Sequence, residues 1–109
     1  MRLPDATVRL AELMRKAQGR RFRWGAWDCC QFAARAVHAV TGRDPREIFP
    51  EYRTRAQAEK IIAECGGLDS IATKALGDPI HPSRAKTGDI VICDFGRGPQ
   101  PAVCIGAYC

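Results

Sequence analysis

The sequence has no long apolar run, and that alone removes a class. Its longest hydrophobic stretches fall far short of the ~20 residues that span a bilayer, so an integral membrane helix is excluded. The N-terminus carries charge throughout and has no apolar h-region, so no signal peptide is expected there. Without a signal, the six cysteines are expected to be thiols in a reducing cytoplasm rather than a disulfide framework. No Cys-x-x-Cys pair occurs, and cysteines at 29, 30, 65, 93, 104 and 109 match no familiar zinc spacing, so no metal is expected. No glycine-rich phosphate loop joins a strand to a helix, so no nucleotide cofactor is expected either. The chain has only two histidines, His38 and His81, which limits acid–base chemistry from the outset. Internal repeats, low-complexity tracts and linkers are also missing, so the 109 residues read as a single domain, 1–109.

What is present is unevenly charged. Residues 1–25 carry seven basic and two acidic side chains, whereas residues 26–109 carry ten of each. The whole excess of +5 therefore sits in the first helix and the loop after it. Such a stripe can mark a nucleic-acid or acidic-partner surface, but a solvated helix face is its commoner meaning. No aromatic interleaving accompanies the charge, which disfavours nucleic acid.

Helical periodicity predicts four helices and then a change of period. The first spans Ala6–Gln18, with Asp5 as expected N-cap and Gly19 as its stop. The second runs from Cys29 to Thr41 after Asp28 and stops at Gly42; its Phe32, Ala36 and Val40 side should pack against the strands. Thr54-Arg55-Ala56-Gln57 has the capping-box pattern and opens a third helix that ends at Gly66-Gly67. A short fourth follows Asp69 and stops at Gly77. Asp89–Phe95 and Ala102–Tyr108 read as two strands of an antiparallel hairpin around a turn at 96–101, with Asp89 fixing the turn before the first strand. A two-stranded sheet is marginal, so the chain reads as shortened at its C-terminus, with an open edge that a second subunit could cover.

The chemistry concentrates in Trp24-Gly25-Ala26-Trp27-Asp28-Cys29-Cys30. A cysteine at the first turn of a helix faces unpaired amides and the positive end of the helix dipole, which favour the thiolate. Cys29 is the candidate nucleophile, and Trp24, Trp27, Asp28 and Cys30 are candidate walls of a cleft beside it. A cysteine here can also be a small core residue. His38 lies nine residues along the same helix, a rise of about 13 Å and the opposite face, so it cannot act as base. His81, in a Pro-rich loop, is the remaining candidate base, although an exposed loop histidine is its commoner meaning.

The order of these segments resembles the NlpC-type cysteine peptidases, which have a papain-like fold and cut peptidoglycan stem peptides. It resembles more closely a phage and prophage protein family related to them and associated with tail assembly. The resemblance rests on Phe22, Trp24-Gly25, Asp28-Cys29-Cys30, Thr41-Gly42-Arg43-Asp44-Pro45, Tyr52, Gly66-Gly67-Leu68, Gly88-Asp89-Ile90-Val91 and Val103–Gly106. It implies an α+β papain-like fold with N-terminal helices and a short antiparallel sheet, and it makes Cys29 the nucleophile. It also puts Ala102 where those enzymes carry the base histidine. The expectation is therefore a degenerate tail-associated protein, placed in the cytoplasm or in a virion tail, with tail proteins or a peptidoglycan peptide as partners. An active thiol hydrolase built on Cys29 and a basic adaptor binding an acidic partner through the first helix are the alternatives.

Overall fold

The computed structural model describes residues 2–80, 82–94, 96 and 99–104. These form an α+β arrangement: α1 (Ala6–Gln18), α2 (Cys29–Thr41), α3 (Arg55–Glu64) and α4 (Leu68–Leu76), followed by β1 (Ile90–Asp94) and β2 (Pro99–Val103). Short 3-10 turns at Pro45–Ile48 and Pro82–Arg84 punctuate the connections.

The core lies where α1, α2 and the hairpin meet. Ala6 and Leu10 of α1 are buried against Ala36 and Val40 of α2, with Leu13, Met14, Ile90 and Val103 closing around them. Alanines at 6 and 36 let the two helix backbones approach, while Leu10 fills the remaining volume. The predicted face of α2 is thus used at Ala36 and Val40. The N-terminal tail straps this unit together. Leu3 donates its amide to the Val40 carbonyl at 2.7 Å, and the Arg2 guanidinium hydrogen-bonds the Thr87 carbonyl and the Asp89 carboxylate. Asp89 also accepts from the Lys86 amide at 2.8 Å, which fixes the turn into β1.

Local sequence signals set most helix ends. Asp28 caps α2, and Gly42 ends it in the left-handed conformation. Thr54 Oγ1 accepts from the Gln57 amide at 3.2 Å, and Gln57 Oε1 accepts from Arg53 N–H at 2.8 Å, so the reciprocal cap forms one residue early on its second arm. Asp5 departs from expectation, since its side chain caps nothing. Its backbone takes φ −101° and ψ 22° instead of the extended shape an N-cap needs. Gly19 likewise ends α1 without a left-handed turn, at φ −92°. Helix α4 begins at Leu68, with Gly67 in the cap position, so Asp69 sits in its first turn rather than before it.

The hairpin corrects the second strand. It begins at Pro99, three residues before the expected Ala102, and runs to Val103, pairing Ile90 with Val103 and Asp94 with Pro99. Three residues of the expected turn, Pro99, Gln100 and Pro101, belong to this strand, and two of them are prolines. They are tolerated because the ladder places Ala102 and Gln100, not the prolines, with their amides toward β1 (the Cys104 amide bonds the Asp89 carbonyl at 2.9 Å and sets this alternation). Residues 105–109, and Phe95, lie outside the described residues.

Helices α3 and α4 form a looser second region. Ala58 is the one buried residue of the two helices. Their apolar sides, including Ile61, Ile62, Leu68 and Ile71, face Ile90 and Ile92 across an open cleft of about 760 Å³.

Candidate functional site

The site is built around the turn that leads into α2. Trp27 and Ala26 both donate their amides to the Arg23 carbonyl, at 2.8 and 3.1 Å, which coils the chain back on itself. Gly25 sits inside this coil at φ +79°. A Cβ there would lie 1.8 Å from the Tyr52 carbonyl oxygen, so only glycine permits the loop before α3 to pass this close.

Asp28 joins the pieces. It is 2% exposed, and its carboxylate accepts three hydrogen bonds. Oδ1 takes the Gln31 amide at 2.8 Å, which caps α2; Oδ2 takes the Gly25 amide at 2.8 Å and the Tyr52 hydroxyl at 2.7 Å. Burial, and then the bond to Asp28, push the Tyr52 phenol well above its ordinary range, so it remains a donor. Asp28 is a structural hub and has no open face toward a substrate.

Cys29 follows immediately and is exposed. Its thiol is lowered from an ordinary 9.0 to about 7, chiefly by a hydrogen bond from the neighbouring Cys30 side chain, with the amides of both cysteines helping. Burial and the Asp28 charge oppose this. Cys30 is pushed up for the reciprocal reason, because it holds the shared proton and is more enclosed. Thiolate and thiol forms of Cys29 therefore coexist at neutral pH.

The predicted wall residues part company around this hub. Trp24 and Cys30 line the large cleft, together with Gly25, Gln31 and Tyr52. Trp27 turns into a second cleft, on the side of α2 that carries Arg35 and His38. Asp28 is buried between them, and Cys29 lies outside the lining of both. His38 sits in the last turn of α2, away from the sulfur. His81 lies outside the described residues. Ala102 pairs with Val91 within the sheet.

Cys65 and Cys93 are half-buried free thiols, as Cys30 is, whereas Cys104 is disulfide-bonded, against the expectation of six thiols. Among the described residues, no group of histidine, cysteine or carboxylate side chains is placed to hold a metal ion, and no helix is long and apolar enough to cross a membrane.

Two contacts of the site escaped the sequence. Tyr52 reaches Asp28 across 24 positions, a separation that no periodicity can read. Arg35 stacks on the Trp27 ring at 4.2 Å and donates to the Ala26 carbonyl at 3.3 and 3.4 Å. Its place two helical turns beyond Trp27 was the available signal.

The chain belongs to the family described as a domain of unknown function (DUF6950), which matches residues 1–109. No curated protein and no solved structure matches it.

Proposed function

We propose that this domain is an NlpC-like, papain-like scaffold of a phage or prophage tail whose cysteine end binds rather than cuts. One observation carries the reading: an exposed, readily ionised Cys29 at the start of α2 whose described surroundings offer no imidazole. A thiolate of this kind can attack a carbonyl carbon. An amide then breaks only if the departing nitrogen receives a proton; otherwise the sulfur, the better leaving group, is expelled again. Cys30 is the proton donor at hand, and its raised pKa makes it a poor acid. The position that the peptidases fill with histidine holds Ala102. The large apolar cleft beside Trp24 and Tyr52 supplies a binding surface that does not need cleavage.

The test has two readouts. Alkylation of Cys29 by iodoacetamide, followed by peptide mass spectrometry, should rise with a midpoint near pH 7, with Cys65 as the internal comparison. Incubation with a peptidoglycan stem tetrapeptide should release no fragment, and Cys29→Ala should leave the yield of infectious tailed particles unchanged. Hydrolysis abolished by Cys29→Ala would instead establish the rival, an active thiol hydrolase, with His81 as the base to examine. Loss of particle yield in that variant would overturn the degenerate reading directly.

A further inference from the structure

The side of α2 away from the large cleft holds a second concavity of about 600 Å³, and its lining is strongly one-signed. Arg9, Arg15 and Lys16 enter it from α1, Arg20 from the segment that follows, Arg35 from α2, and Arg46 from the 3-10 turn. Glu12 is the one carboxylate on its wall. Arg46 is neutralised by Asp44, which accepts from Nε at 2.9 Å and from Nη2 at 2.6 Å. Among the described residues, no salt bridge engages Arg9, Arg15, Lys16, Arg20 or Arg35.

Such convergence is costly without a counter-charge, and the structure holds the cations in place regardless. Arg35 is fixed by the Ala26 carbonyl and the Trp27 ring, and Arg20 lies over the same ring at 5.3 Å. Burial, and then repulsion from Arg46 and Arg20, make the Arg35 proton less tightly held than usual. Two held guanidinium groups, among cations that outnumber the single Glu12 carboxylate, form a recognition surface for an anion.

We propose that this cleft binds an acidic peptide segment of a partner protein, with Arg20 and Arg35 as its central contacts. Carboxylate is the favoured chemistry because the chain already seats one, Asp44, side-on against the Arg46 guanidinium at the cleft's edge. A nucleic-acid strand would want an open aromatic platform. Trp27, the aromatic ring of this cleft, already carries two guanidinium groups. Phe22 and Trp24 pack edge-to-face on each other, and Trp24 belongs to the other cleft. The surface is independent of the Cys29 reading, since none of Asp28, Cys29 and Cys30 lines it.

The experiment is fluorescence anisotropy of a labelled hexaglutamate peptide with the full chain at low salt. Charge reversal at Arg20 and Arg35 should weaken binding by about tenfold or more, the equivalent of ~1.4 kcal/mol or above. Arg15→Glu with Lys16→Glu, both on the exposed face of α1, should weaken it as well and guards against a folding defect in the first variant. Lys60→Glu, on α3 and remote from the cleft, should leave affinity unchanged. No binding of hexaglutamate would overturn the proposal. Equal losses from Lys60→Glu would do so too, by reducing the effect to net charge, and so would tighter binding of a dT12 oligonucleotide.

Discussion

Helices α2 and α4 are both amphipathic, yet α2 buries four residues and α4 none. Periodicity is therefore a statement about a face, not about what covers it. In α2 the apolar face meets α1 and the hairpin; in α4 it borders an open cleft. The loop that leads into the second region is tied to the turn before α2, where Gly25 lies under the Tyr52 backbone and the Tyr52 hydroxyl is bonded to Asp28. The buried cluster lies in the first region, and the buried Asp28 carboxylate sits at the tie to the second.

That contrast can be broken most severely at the joint. Gly25→Ala places a methyl group against the Tyr52 carbonyl and forces a left-handed backbone on a residue with a Cβ. The expected loss is about 3–4 kcal/mol, read by urea denaturation. Leu10→Ala attacks the packed region and should cost about 3 kcal/mol, since Leu10 is buried among Ala36, Val40 and their neighbours and its loss leaves a cavity. A Leu10→Ala loss below ~1 kcal/mol would mean that this core is no tighter than the second region.

The loop between the regions contributes through the Asp44–Arg46 pair. Arg46 first of all, by its hydrogen bonds, lowers the Asp44 carboxyl from 3.8 to about 2. A folded-state pKa below the unfolded one adds stability that is complete above the unfolded value and disappears as pH falls through the folded one. Asp44→Asn should thus cost about 1–2 kcal/mol at neutral pH and little at pH 2, measured as the pH dependence of the urea midpoint. The smallest effect belongs to α4, where Ile71→Ala should cost less than about 1 kcal/mol because the side chain is already half open to solvent. Amide exchange should likewise be faster in α3 and α4 than in α2.

The parts of the fold that the sequence disclosed are those whose causes are local. Asp28 before Cys29, Gly42 after Thr41, and Thr54 with Gln57 each satisfy backbone groups within a few residues, and each stands where expected. Asp5 shows the limit, because an acceptor of the right type was present and the backbone took another shape. The start of β2 was not legible for a different reason, since a proline's fitness for a strand depends on which neighbour its nitrogen faces. At the candidate site, Cys29 and its helix end were readable from a seven-residue segment. The Asp28–Tyr52 bond and the Trp27–Arg35 stack were not, because they arise when separate elements are brought together.

Pro99 and Pro101 have one more effect. Their nitrogens point away from β1, so the outer rim of β2 lacks hydrogen-bond donors at two of its positions. That rim is a poor template for another extended chain, which guards the hairpin against aggregation through this side. On the opposite rim, Ile90 and Ile92 keep their amides. Growth of this sheet therefore has a direction: any added strand, from any source, has its place beside β1.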